Sequence, residues 1–225
     1  MLSACTSNHF VNLNYGSDPA ARSDQSGPRF TLGYVEDDRK EQSNIIGTIR
    51  GGYGNPLKRI QLEGSVAEQV RSFVEEALAA RGLLASKESS PRPPLLNVRL
   101  NRLDSSYLVR KEAHASVSLV VMSAGKEETY LEETYTADLT RGGVGAGIFG
   151  NAEALGALAN QALTEAVDEA LNDPRLLTAG ADALAYTAAP TGLTARLAEL
   201  NKLRDEGVIS QEEYEQARRA VLTSQ

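Results

Sequence analysis

Reading from the N-terminus, the first sustained alternation of apolar and polar positions is Phe30, Leu32 and Tyr34, interleaved with Thr31 and Gly33. Period two marks a strand with one buried face, and the charged run "EDDRK" ends it in a loop. A shorter alternation, "FVNLNY" at residues 10–15, sits in an otherwise polar stretch and reads as one short strand. After Ser65 the period becomes helical: Val66, Val70, Phe73, Ala77 and Leu78 share a stripe, Ser65 and Glu68 form a capping box, and Gly82 stops the run. Leu96, Val98 and Leu100 return to period two, as do Ala113, Ala115, Val117, Leu119 and Val121, then "ETYLEETYTADL" beyond a turn at Gly125. The last two segments are expected to form a hairpin. An odd three-residue loop would set Leu131, Tyr135 and Ala137 on the core side and turn Glu133 inward, whereas a one-residue slip exchanges the faces. A second helix is predicted from about Ala152 to Leu171, with Leu155, Leu158, Ala159, Ala162, Leu163, Val167, Ala170 and Leu171 on one side.

This order folds most economically as an α+β unit: a mainly antiparallel sheet of about four strands with two helices packed on one face. "TAGADALAYTAAPTG" then reads as a small-residue linker. Leu193, Leu197, Leu200 and Leu203 line a following helix that ends at Gly207. Ser210 and Glu213 cap another, Ile209 is placed to staple Tyr214, and Tyr214, Ala217, Val221 and Leu222 form its inner side. A C-terminal two-helix hairpin is expected. The organisation is therefore a polar tether over 1–28, an α+β body over 29–177, a linker over 178–191 and the hairpin over 192–225.

Composition narrows the chemistry. The 225 residues carry a formal charge of -7, and the 23 Lys and Arg form no cluster of five or more, so nucleic acid is not an expected partner. No apolar run approaches the roughly 18 residues of a membrane-spanning helix. One cysteine and two histidines, His9 and His114, do not supply the usual ligands of a zinc site. No metal or cofactor is expected.

The single cysteine stands in "LSAC". Leu2, Ser3, Ala4 and Cys5 resemble the lipobox of bacterial lipoproteins, where small residues suit the peptidase and the thiol receives the diacylglyceryl group. Four preceding residues do not make a signal peptide, so the signal is expected upstream of the recorded start. Thr6 follows the cysteine where inner-membrane lipoproteins of Gram-negative bacteria often have Asp, and the resemblance therefore implies the outer membrane, facing the periplasm.

Asp38, Arg39, Ile46, Gly47, Arg50, Gly51, Tyr53, Gly54 and Gly82, spread through "VEDDRKEQSNIIGTIRGGYG" and the helix after it, resemble the pattern of the YajG-type bacterial lipoproteins over about residues 30–177. That resemblance implies an envelope location and no established reaction. Likewise "LNKLRDEGVISQEEYEQARRAVL" resembles the SHOCT short C-terminal domain, at residues 193–223, which implies oligomerisation or partner contact. Leu197, Leu200, Leu203, Ile209, Tyr214 and Val221 are the candidate assembly surface.

"GAGIFG", with Gly145, Gly147 and Gly150, fits the dinucleotide fingerprint but lacks a parallel strand after its helix, and Asp168 falls inside the helix rather than beyond it. A flexible connection is the plainer reading. His114 with Ser116 and Ser118 on one strand face lacks an orienting third group. Arg39, Arg50 and Tyr53 are a candidate surface for an anionic glycan or protein partner; the alternative is an ion pair from Asp38 to Arg39 or Arg50 that ties down the loop. The expected function is a non-catalytic, lipid-anchored scaffolding or binding module. It would touch the membrane through acylated Cys5, and an envelope protein, a cell-wall glycan or a second copy through its surfaces. The rival readings are a nucleotide-binding enzyme on "GAGIFG" and a soluble cytoplasmic oligomer.

Overall fold

A computed structural model describes residues 7–16, 27–40, 43–86, 92–125, 128–142, 151–188 and 193–223. Cys5 and the three glycines of "GAGIFG" lie outside the described residues. The chain divides into two units, one ending at Leu184 and the other spanning Ala185–Gln225.

The first unit is built on a seven-stranded mixed sheet. Its strands are β1 (Ser7–Val11), β2 (Thr31–Asp37), β3 (Ile45–Arg50), β4 (Pro56–Leu62), β5 (Leu95–Tyr107), β6 (Lys111–Met122) and β7 (Thr129–Arg141). The order across the sheet is β1-β4-β3-β5-β6-β7, with β2 also paired to β5. β1 on β4, β2 on β5 and β3 on β5 are parallel, and the other pairs are antiparallel. The helices are α1 (Val66–Ala80), α2 (Ala152–Asn172), α3 (Pro174–Ala188), α4 (Leu193–Asp205) and α5 (Gln211–Thr223).

This corrects the expected four-stranded, mainly antiparallel sheet with two helices. The missed strands β3 and β4 are short, and their pairing is interrupted by two register shifts, between Ile45 and Gly47 and between Ile49 and Arg50. Such irregularities erase the period-two signal on which strand reading depends. Gly47 is required there, because a Cβ would fall on Ser105 Oγ of β5. The segment expected as a linker is helical through Ala188, and Leu176, Ala179 and Ala183 of α3 join the main core.

Nor are the described residues of the expected tether free. β1 pairs with β4 from Ser7 onward, and residues 12–15 are held by side chains. Gln69 Oε1 accepts from Leu13 N at 2.8 Å, and Asn160 both accepts from Asn14 N at 2.9 Å and donates to Asn14 O at 2.8 Å. These amides do for one extended strand what a neighbouring backbone would do.

The helical stripes are as expected. All five predicted residues of α1 and all eight of α2 are buried. Ser65 Oγ accepts from Glu68 N at 3.4 Å, and Asn151 Oδ1 caps α2 through Glu153 N at 3.0 Å. On the β6–β7 hairpin, Leu131, Glu133, Tyr135 and Ala137 lie opposite the core residues Val121, Leu119, Val117 and Ala115. A bulge between Val121 and Met122 shifts the register by one residue and sets this pairing.

Candidate functional site

β5 carries two parallel partners on one side: β2 as far as Leu100, and β3 only at Ser106 and Tyr107. Between them the sheet forks, and Arg39, just beyond the end of β2, fills the fork. Its Nε donates to Asp37 Oδ1 at 2.6 Å and its Nη2 to Asp37 Oδ2 at 2.8 Å. The same guanidinium donates to the carbonyls of Ser43 at 2.6 Å, Ile45 at 3.3 Å and Leu103 at 3.4 Å. Planar, five-donor geometry suits it to satisfying carbonyls that no strand reaches. Arg39 is 7% exposed, so it is a structural plug rather than a contact surface. The carboxylate that pairs with it is Asp37, not Asp38. A cleft of about 400 Å³ lies over the fork, lined by Arg39, Lys40, Ile45, Asn101, Arg102, Leu103 and Asp104.

Arg50 and Tyr53 sit apart from Arg39, on the β3–β4 turn. Gly54, at φ 80°, permits that turn, and Arg50 Nη1 donates to Gly54 O at 3.1 Å. Tyr53 is fully exposed. The three residues expected to form one surface are therefore not brought together.

A second buried cation went unnoticed in the sequence. Arg81 caps α1, is fully buried, and pairs through Nη2 with Asp168 Oδ1 of α2 at 2.8 Å. Tyr15 Oη donates to the same carboxylate oxygen at 2.6 Å and accepts from Arg81 Nη1. Its ring packs edge-on to Phe73, centroids 5.4 Å apart. The signal was present, since Arg81 falls on the stripe of Ala77 and Leu78, one turn on. Asp168, weighed as a ribose-binding acid, is instead the partner of this guanidinium.

A third cluster joins β7 to the start of α3. Asp173 accepts from Tyr135 Oη at 2.8 Å, from Arg175 N at 2.8 Å and from Arg175 Nη2 at 2.7 Å, while Arg175 Nη1 reaches Glu133 at 2.6 Å. That ion pair is what receives the inward-turned Glu133. Arg175 is the main cause that holds the Asp173 carboxyl down to about 2, below the ordinary carboxylate range; burial above all, then the bond to Asp173, pushes the Tyr135 phenol up. A depressed folded pKa stabilises the fold above the unfolded value and loses that contribution as pH falls through the folded one. The gap in urea midpoint between wild type and Asp173→Asn should therefore be widest above about pH 5 and close as the pH falls from about 4 towards 2. A gap constant over that window would contradict the assignment.

On the open face of the sheet, His114 Nδ1 pairs with Asp138 Oδ1 across β6 and β7, and this bond is the chief cause that lowers the Asp138 carboxyl. Ser118 bonds instead with Asn101 at 2.6 Å and Thr134 at 2.7 Å. These bonds form polar ladders between strands.

In the second unit, α4 ends at Gly207, φ 70°, with Val208 N bonded to Leu203 O at 2.9 Å and Gly207 N to Arg204 O at 2.9 Å, a Schellman closure. The predicted capping box is present: Glu213 Oε2 accepts from Ser210 N at 2.8 Å, and Glu213 N donates to Ser210 Oγ at 3.3 Å. The Arg204 guanidinium lies 4.7 Å over the Tyr214 ring. Tyr214 is the one buried side chain among the described residues of this unit; Leu197, Leu200, Leu203, Ile209 and Val221 stay half-buried. Leu200, Leu203, Ala217 and Val221, with Glu199, line a groove of about 220 Å³.

No curated protein matches the chain. Among solved structures, a Xanthomonas campestris protein carrying the DUF330 family model superposes with a TM-score of 0.55 at 16% identity, over 79% of this chain and 98% of that one. A candidate lipoprotein of Caulobacter crescentus gives a TM-score of 0.34 at 20% identity, covering 56% of this chain and 86% of that one. The PelC dodecamer of Paraburkholderia phytofirmans gives 0.32 at 12%, covering 64% and 92%. Nothing further rests on the two lower scores. The body thus shares its fold with the Xanthomonas protein, and residues 195–222 match the short C-terminal domain family, SHOCT.

Proposed function

We propose that this chain is a lipid-anchored, non-catalytic scaffolding module of the Gram-negative envelope, of YajG type, held to the outer membrane through Cys5 and assembling through its SHOCT hairpin. The observation that carries it is the state of that hairpin. A two-helix unit with one buried side chain among its described residues and four apolar residues on an open groove falls short of the core a free-standing domain of this size needs. A second copy covering Leu200, Leu203, Ala217 and Val221 supplies it. In the body, the groups best suited to chemistry, Arg39, Arg81, Asp168, Tyr135 and Asp173, are engaged in joining elements to one another. The resemblance of "LSAC" to a lipobox supports the anchor.

Two measurements test this. Protein made from the gene with its native upstream DNA should begin at an acylated Cys5 and partition with membranes, and Cys5→Ala should lose both; a mass beginning at Met1 with a free thiol overturns the anchor. By light scattering, the full chain should run at a multiple of 24.1 kDa and Leu203→Asp with Val221→Asp at 24.1 kDa. A wild-type monomer at micromolar concentration would remove the assembly role.

A further inference from the structure

Cross-strand register lays one row of residues across the body. Ser7 stands opposite Lys58, Lys58 opposite Ile49, Ile49 opposite Tyr107, Tyr107 opposite Lys111, and Lys111 opposite Arg141. The row marks one end of the sheet, and beyond it project two turns, 51–55 between β3 and β4 and 108–110 between β5 and β6. These turns carry the two most exposed large apolar side chains of the described residues, Tyr53 at 103% and Val109 at 81%, with Leu108 at 51% beside them. Arg50, Lys58, Arg110, Lys111 and Arg141 stand at the same end of the sheet. The nearest carboxylate along these strands is Glu112, which pairs with Arg110 at 3.4 Å. A basic end on a chain of net charge -7 is a strong polarity.

The same end is where β1 begins. In the sequence Cys5 is two residues before Ser7. If Cys5 is acylated, as the proposed function has it, only Thr6 separates the lipidated residue from the first residue of β1. Apolar tips beside Lys and Arg suit the headgroup boundary of an anionic bilayer, where basic side chains near the surface are attracted to the lipid charge and a Tyr ring finds both an apolar and a wet side.

We infer that this end of the sheet is a membrane-docking face. Tyr53, Leu108 and Val109 enter the interface, the five basic side chains lie on anionic headgroups, and the body stands directly on the lipid surface. Only the position of the anchor rests on the lipoprotein reading; the face stands on the row and the turns.

The chain has no tryptophan, so a single introduced one reports its own surroundings. Full-length protein carrying Cys5→Ala, to remove any acylation, is given Tyr53→Trp or Val109→Trp and mixed with phosphatidylcholine vesicles containing about a third phosphatidylglycerol. Both reporters should shift to the blue and be quenched by brominated lipid, whereas pure phosphatidylcholine leaves them unchanged. Tyr34→Trp, on β2 away from both turns, should not respond. Adding Arg110→Glu and Lys111→Glu should weaken the partition by at least about tenfold. Unshifted reporters at 53 and 109, or an equal shift at 34, overturn the docking face while leaving the Cys5 anchor to its mass measurement. Shifted reporters on a protein whose wild type proves unacylated keep the face and discard the anchor.

Discussion

Asp168→Ala is expected to lower the unfolding free energy of the body by roughly 3–5 kcal/mol, the range for removing one partner of a buried ion pair. Arg81 is fully buried, and Asp168 is its carboxylate. Without that carboxylate the guanidinium keeps the Tyr15 hydroxyl and the Ala77 carbonyl at 3.4 Å, and among the described residues its Nε has no hydrogen-bond partner even in the intact fold. An uncompensated charge would remain in the core. The loss should also loosen residues 12–15, because the Tyr15 hydroxyl donates to the same oxygen. Urea denaturation at neutral pH measures the first effect, and hydrogen exchange at the amides of Leu13 and Tyr15 the second. Arg81→Met with Asp168→Leu should recover much of the stability, since an apolar pair leaves no charge unpaired. A loss below about 1 kcal/mol for Asp168→Ala would show that water reaches Arg81 and that the pair does not hold the helices together.

Arg39→Ala is expected to cost about 3 kcal/mol or more. The substitution strips the bidentate partner from Asp37 and leaves the carbonyls of Ser43, Ile45 and Leu103 without this donor in a fork that none of the described strands closes. Arg39→Lys should recover only part, because one ammonium with three donors does not span a carboxylate and three carbonyls in a plane. Arg50→Ala is the comparison: an exposed guanidinium with one turn carbonyl as acceptor should change stability by less than about 0.5 kcal/mol. Urea midpoints of the three variants decide it. If Arg39→Ala and Arg50→Ala proved equally mild, the plug would be wrong and Arg39 would return as a surface group.

The two arginines show where reading a sequence stops. Arg39 and Arg50 resemble each other in sequence, each on a polar loop beside glycine or acid, yet one is a buried brace and the other decorates a turn. What separates them is Leu103, sixty-four residues from Arg39, whose carbonyl stands open because β2 and β3 share one side of β5. No local pattern records that. The helices behaved differently. The stripes of α1 and α2, the Ser65 cap, and the Gly207 stop and capping box of the hairpin were all legible, because each rests on residues within four or five positions of one another.

Sequence by itself therefore determined the helical faces, the existence of the β6–β7 hairpin, the domain at residues 195–222, and the absence of a concentrated basic cluster along the chain, while the choice between the two faces of that hairpin waited on the bulge at Val121. Tertiary structure alone decided the strand count, the parallel pairs of β1, β2 and β3, the burial of Arg39 and Arg81, and the basic end of the sheet. Helix and hairpin signals repeat over a few residues and survive without a partner. A parallel pairing such as Ser7 with Lys58, or an ion pair such as Arg81 with Asp168 across 87 residues, is stable only once the rest of the sheet has brought its members together.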